Sequence, residues 1–433
     1  MNIAYICADF GVHVFGHKGA SIHVREMVSA LRNAGHSICL ISPAIDEGKE
    51  GREKSAAESH SARVMKSLDG VALLPVSPPE RLLQLFKDLE TLDKFLDVKT
   101  RIRQELRNLL YNLTLYEQAV DALRLRRMDL IYERYALFSY AGIRLARELG
   151  VPHILEVNAP LAEEQEKLRG LEMKNLARET ERHIFRATDR VIVVSRQLQE
   201  YVVSCGVPES RLHLLPNAVD PRRFAAAKNN SIMRAQYRLD GKCVIGFVGS
   251  LKPWHGTETL LEAFRELHAT IANMHLLIVG DGPGRDDLEK YAQEKSLNGA
   301  VTFTGNVPYD DIPRYIAAMD ITVAPYKPHE NFYYSPIKIF EYMIMGKPVV
   351  AGRIGQVEEI ITHHETGMLY EPGNIGQLTA ALAKLAGDAS LRHRLGERAR
   401  AWVQKERTWE NNARRVIEMA QGLIERRSDG VMD

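Results

Sequence analysis

Short apolar runs alternate along the whole chain with longer stretches in which apolar side chains recur every three or four residues. The short runs, rich in Ile, Val and Leu, read as strands buried on both faces, and the longer pattern reads as helices that cover them. The strands fall at 3–7, 38–41, 71–74, 130–132, 154–157, 191–194 and 212–215 in the first half. In the second half they fall at 244–248, 276–279, 301–304, 321–324, 349–351 and 368–370. Each half thus holds enough strands for its own doubly wound parallel sheet, which is the α/β class. The pattern breaks at Pro216-Asn217-Ala218-Val219-Asp220-Pro221, so the expected domains are 1–215 and 216–401.

Three stretches stand outside this alternation. Residues 47–62 are polar and poor in apolar side chains, which predicts a loop or insertion. Residues 81–127 read as helix, with Leu82, Leu85, Phe86, Leu89, Leu92, Phe95 and Leu96 at spacings of three and four, so a helical insertion at about 80–127 is expected. The region 402–433 holds a basic amphipathic stretch at 402–424 with no strand after it. It is expected to be a helical tail that packs back on the N-terminal domain.

Bulk properties narrow the function classes. With 57 basic and 56 acidic side chains the formal charge is +1, which argues against a protein built to neutralise a nucleic-acid backbone. Cys7, Cys39, Cys205 and Cys243 are scattered without zinc or redox spacing and read as reduced, mostly buried thiols. No run approaches the roughly 20 apolar residues of a membrane span. The opening Met1-Asn2-Ile3-Ala4-Tyr5-Ile6-Cys7 reads as a core strand rather than a leader, so a cytoplasmic protein is expected. Arg101, Arg103, Arg107, Arg124, Arg126 and Arg127 raise peripheral contact with the inner membrane face as a further reading. Their many acidic neighbours favour a solvated helical surface instead.

Open parallel sheets bind ligands at the carboxyl ends of their strands, where loops meet helix N-termini. Two such half-sheets facing one another would form an interdomain cleft. Three loops there carry candidate chemistry. In Phe15-Gly16-His17-Lys18-Gly19-Ala20-Ser21, Gly19 and Ala20 permit close approach to a backbone whose helix start favours an anion. The stretch lacks the dinucleotide fingerprint, and Ser42-Pro43 replaces the acidic residue that a nicotinamide cofactor needs. In Gly249-Ser250-Leu251-Lys252-Pro253-Trp254-His255-Gly256, Lys252 and a protonated His255 suit a diphosphate. A unit charge pair there is worth on the order of 4 kcal/mol before desolvation.

The third loop runs Asn331-Phe332-Tyr333-Tyr334-Ser335-Pro336-Ile337-Lys338-Ile339-Phe340-Glu341-Tyr342-Met343. Ser335 is expected to cap a helix with Pro336 in its first turn. Lys338 and Glu341 share a face, opposite a buried stripe of Ile337, Phe340 and Ile344. Such a helix offers amides and a lysine to phosphate, and a carboxylate to hydroxyls.

At this motif the chain resembles the retaining nucleotide-sugar glycosyltransferases of family 4. The likeness includes Gly19-Ala20, Leu215-Pro216-Asn217-Ala218-Val219-Asp220, Val279-Gly280-Asp281-Gly282-Pro283 and Phe303-Thr304-Gly305-Asn306-Val307. It continues through Lys338 and Glu341 to Gly346-Lys347-Pro348-Val349-Val350-Ala351. The resemblance implies the GT-B fold of two Rossmann-like domains facing a cleft, and front-face transfer with retention. It implies that Glu341 holds the donor ribose and that amides around Tyr333, Ser335, Pro336, Ile337 and Lys338 face the sugar and diphosphate. Gly305 and Val307 would border the base, and Gly19-Ala20 would approach the phosphates. Lys252 and His255 would stabilise charge, with Glu156 and Asn158 on the acceptor side.

Three positions depart from the family. Tyr333 stands where a first glutamate is usual, Ser250 and His255 where Arg and Lys are usual, and Asn158 where many members carry His. The expected donor is a nucleoside-diphosphate sugar, with UDP as first guess, and the acceptor is a hydroxyl on a glycan, glycolipid or small glycoside. There is no DxD triplet, so neither a metal nor another cofactor is required. A sugar-nucleotide epimerase of the same fold and a catalytically silent sugar-nucleotide-binding protein are the alternatives.

Overall fold

The computed structural model describes residues 1–16, 18–43, 66–68, 70–225 and 231–429. His17 and the polar stretch 47–62 lie outside the described residues. The chain divides into two compact units, Met1–Pro216 with Glu410–Asp433, and Asn217–Trp409.

The first unit is built on β1 (Asn2–Cys7), β2 (Ser37–Ser42), β3 (Lys66–Leu68), β4 (Val71–Pro75), β5 (Leu130–Arg134), β6 (His153–Val157), β7 (Arg190–Val193) and β8 (Leu212–Leu214). They lie in the order β3-β4-β2-β1-β5-β6-β7-β8. All neighbours are parallel except β3, which runs antiparallel along β4 at the edge. The second unit holds β9 (Cys243–Val248), β10 (Met274–Val279), β11 (Val301–Phe303), β12 (Ile321–Ala324), β13 (Val349–Gly352) and β14 (Met368–Tyr370). Its six parallel strands follow the order β11-β10-β9-β12-β13-β14. These are two Rossmann-like doubly wound sheets. Strand order reverses between β1 and β5 in one and between β9 and β12 in the other, which is where such sheets open a crevice for ligands.

Among the described residues thirteen of the fourteen strands were legible, most of them through burial. Ile3, Ala4, Tyr5, Ile6 and Cys7 are all fully buried, as are Leu276, Leu277, Ile278 and Val279. A strand covered on both faces keeps apolar side chains at every position rather than at alternate ones. The antiparallel β3, only three residues long, carries no such run and was not expected.

Two helical expectations change. The stretch 81–127 is two helices, Glu80–Phe95 and Ile102–Leu125, separated by a turn in which Asp97 takes a left-handed φ of 51°. Of the apolar residues in the first helix only Phe86 is buried; Leu85, Leu92 and Phe95 are exposed. The stretch 402–424 is also not one helix. Residues 402–406 finish the helix Ala389–Glu406, and a break at Arg407 and Thr408 precedes the helix Trp409–Ser428. Thr408 there bridges to Val219. Ala413, Val416, Ala420 and Leu423 form the buried stripe of the last helix, and Asn412 Nδ2 donates to the carbonyl of Pro216 at 2.8 Å.

Candidate active site

The second sheet's crevice is framed by the end of β9. Gly249 turns the chain there with a φ of 143°, and a Cβ at this position would lie 2.6 Å from the ammonium of Lys338. The positive φ calls for glycine, and a side chain here would also push on the Lys338 ammonium. Lys338 belongs to the short helix Ile337–Ile344, fixed against β9 by the Tyr342 hydroxyl, which accepts from Val248 N at 2.7 Å. Lys338 Nζ is buried and has no hydrogen-bond partner among the described residues. It rests 4.2 Å from the centroid of the Phe247 ring and 5.7 Å from that of Tyr326. Burial pushes this amine down to about 7, while Glu341 one turn along pulls the other way. The amine thus stands over two aromatic faces with no hydrogen-bond acceptor among the described residues.

Glu341 is itself buried, and its Oε1 accepts from the Tyr309 hydroxyl at 2.9 Å. Tyr309 lies two residues after Val307, so it ties the segment containing Gly305 and Val307 to the helix. The guanidinium of Arg223 stands 5.1 Å from the Tyr309 ring centroid. Gly305 takes a φ of 72° and accepts from Gly280 N at 3.0 Å, bringing the turns after β10 and β11 together.

Several sequence expectations need correction. Ser335 does not cap the helix: its hydroxyl accepts from Asn217 N at 2.9 Å, and its carbonyl accepts from Asn217 Nδ2 at 2.7 Å. Pro336 occupies the cap position and offers no side-chain acceptor, so the first amides of the helix are uncapped by a side chain. The helix has no exposed opposite face either; Ile339 to Ile344 are all buried, whereas Ile337 is only half-buried. Tyr333 is buried, with its ring 4.3 Å from that of Tyr334.

His255 is not a cation. Burial first, then the charges of Lys338 and Lys252, push it down to about 3, although its bond to the Ser250 carbonyl works in the opposite direction. Its Nδ1 donates to that carbonyl, which leaves the neutral imidazole with Nε2 as an acceptor. Lys252 stands 4.8 Å from the centroid of Trp254.

The remaining candidates lie in the other unit. Gly19 and Ala20 open the helix Gly19–Asn33, whose first turn has no side-chain cap and no acidic residue; nothing stands within 4 Å of a Cβ built on Gly19. At the end of β6, Glu156, expected on the acceptor side, is 1% exposed and already engaged. His23, the Tyr132 hydroxyl at 2.5 Å and Asn158 Nδ2 at 3.0 Å all converge on it. Burial alone would raise this carboxyl, but His23, Arg134 and Tyr132 outweigh it and hold it down to about 2. Glu156 therefore orients Asn158 and leaves the half-buried amide as the accessible group.

Residues 17–223 match the Glycosyltransferase Family 4 description, and residues 229–402 match Glycosyl transferases group 1. The chain belongs to the family 4 glycosyltransferases. Among its relatives is the GDP-mannose-dependent alpha-(1-6)-phosphatidylinositol monomannoside mannosyltransferase of Mycobacterium tuberculosis, 29% identical over 58% of this chain and 67% of that protein. The alpha-D-kanosaminyltransferase of Streptomyces kanamyceticus is 29% identical over 59% of this chain and 66% of its own length. The matched stretches thus span about two thirds of these relatives. In fold, the glycosyltransferase is similar to Anabaena HepE, solved in complex with UDP. The TM-score is 0.71 and identity 18%, with 98% of this chain and 100% of that one covered.

The fold of the glycosyltransferase is accordingly GT-B, and transfer from a nucleotide-activated sugar is its reaction class. The epimerase and the silent binding protein are not favoured by these relatives. No helix among the described residues is long and apolar enough to cross a membrane. Sequence reading missed Tyr309, His23 and Tyr132. Tyr309 and His23 each interrupt an otherwise ordinary pattern with a polar ring, but their partners Glu341 and Glu156 are 32 and 133 positions away (341 less 309, 156 less 23).

Proposed function

We propose that the enzyme transfers its sugar with retention of anomeric configuration, and that the donor lies on the Lys338–Glu341 helix. The observation that carries this reading is the buried, unpartnered ammonium of Lys338 beside Gly249. A diphosphate supplies the anion that this cation lacks, and the uncapped amides of the helix start add to the attraction. Glu341 accepts from the ribose hydroxyls, and Val307 borders the base. Lys338 thereby takes over the duty that Ser250 and neutral His255 cannot perform. His255, through Nε2, accepts a hydrogen bond from a sugar or phosphate hydroxyl rather than supplying charge.

In the proposed step the acceptor hydroxyl oxygen forms a bond to the anomeric carbon on the face from which the nucleoside diphosphate departs. The bond from that carbon to the phosphate oxygen breaks and its electron pair leaves with the diphosphate. The acceptor proton passes to a phosphate oxygen. Stabilising the growing diphosphate charge falls to Lys338, Lys252 and the helix amides. Asn158, its orientation set by Glu156, directs a hydroxyl in the N-terminal unit. No metal or other cofactor is assigned a part.

UDP is the first donor base to test and guanosine the rival, since one relative is named for GDP-mannose and a fold neighbour was solved with UDP. A mass-spectrometric screen of UDP- and GDP-sugars for binding and hydrolysis identifies the donor. Glu341→Gln is expected to weaken the selected donor by about tenfold or more. Binding unchanged in this variant contradicts the placement. We also propose peripheral membrane contact through the helix Glu80–Phe95 and the turn after it, where Leu92, Phe95, Leu96 and Val98 are exposed.

A further inference from the structure

One cluster unused by this mechanism lies wholly in the N-terminal unit, at the strand reversal between β1 and β5. Arg134 closes β5 there, in register with Cys7 on one side and Glu156 on the other. Its guanidinium makes no ion pair or hydrogen bond among the described residues, although Nη1 is buried. Glu156 directs its close contacts to His23, Tyr132 and Asn158 and meets Arg134 only as a nearby charge. Three residues beyond Cys7, the ring of Phe10 lies 4.1 Å from a second guanidinium, that of Arg107. Arg107 Nε is likewise buried without a partner among the described residues. The Asp9 carboxylate accepts from Gly11 N at 2.7 Å and acts on Arg107 as a nearby negative charge without a hydrogen bond to it.

Two arginines therefore flank the stretch from Cys7 to Phe10, a chain path of at most ~11 Å. Buried donors of a cation are satisfied in ordinary interiors, and guanidinium forks match planar or tetrahedral oxyanions. We infer that Arg107 and Arg134 form an oxyanion subsite, and that the acceptor of this glycosyltransferase carries a phosphate or carboxylate. The inference rests on the reading that the N-terminal unit holds the acceptor.

The test is calorimetric titration of the full chain, its nucleotide site first saturated with the nucleoside diphosphate chosen by the donor screen, so that Lys338 is occupied. Glucose, glucose 6-phosphate and glucuronate are compared at about 0.15 M salt. At least one anionic sugar is expected to bind about tenfold tighter than glucose, and which of them does so distinguishes phosphate from carboxylate. Arg107→Gln and Arg134→Gln should each remove about fivefold of that preference, with Arg134→Lys keeping part of it. Equal binding of all three sugars, or a preference that survives in the double variant, overturns the subsite. Should the double variant fail to fold, the comparison on the unaltered chain still decides. Nucleotide binding without anion preference sinks this inference alone. Absent nucleotide binding strikes the donor reading instead, and the same three sugars and single variants still judge the subsite.

Discussion

A lysine ammonium buried without a hydrogen bond destabilises the protein that carries it, by roughly 1–3 kcal/mol or more for a charged group. Lys338 is such a residue, and its burial gives two linked expectations. Lys338→Met should raise the melting temperature by about 2–6 °C and weaken donor binding by roughly 10- to 100-fold, checked by calorimetry on one preparation. Because its amine is pushed down to about 7, the charged form dominates below that pH. Donor affinity should therefore fall as pH rises through 7, and Lys338→Arg should flatten the profile. Glu156 gives the opposite sign. Its folded value of about 2 lies below the ordinary 4.5, so its contribution is complete above 4.5 and is lost as pH falls toward 2. Denaturation curves should show Glu156→Gln lacking a contribution of about 3 kcal/mol across that window. At this scale Lys338 and Glu341 were legible from their spacing, whereas His255 was not. Its neutrality comes first from burial of the ring and then from the charge of Lys338, 83 positions away (338 less 255).

At the scale of elements, the 216–221 break and the Ser335 loop are one feature. Asn217 holds Ser335 through both its backbone amide and its side chain across 118 positions, which is why the local reading of Ser335 as a cap failed. Asn217→Ala leaves a buried carbonyl unsatisfied and is expected to cost about 1–3 kcal/mol. It should also raise the KM for donor, because the start of the Ile337–Ile344 helix loses its anchor; an unchanged KM with lowered stability would restrict Asn217 to a structural part. Strands were legible because burial on both faces writes itself as an apolar run. The turn between Glu80–Phe95 and Ile102–Leu125 was not, since Leu92, Phe95, Leu96 and Val98 continue a helical spacing through it. That apolar row is exposed and so reports no core at all.

Across the whole molecule, near-neutral charge and two doubly wound sheets follow from the sequence alone, and the ligand crevices follow from strand order. Three of the arginines that suggested an anionic lipid surface are engaged elsewhere. Arg103 pairs with Glu90, Arg124 with Glu148 and Arg101 Nε with the Arg169 carbonyl. Membrane contact, if made through Phe95 and Leu96, is thus apolar in origin. Vesicle co-sedimentation should be insensitive to anionic lipid content and should drop several-fold in Phe95→Ser. Dependence on anionic lipid would return the arginines to the account.

Lys338 and Glu341 are proposed to grip one nucleotide, and a crystal structure with the nucleoside diphosphate of the selected donor is the decisive test. A phosphate oxygen is expected within about 3 Å of Lys338 Nζ, with the ribose hydroxyls on the Glu341 carboxylate. A diphosphate bound away from Lys338, with the ammonium still over Phe247, would contradict it.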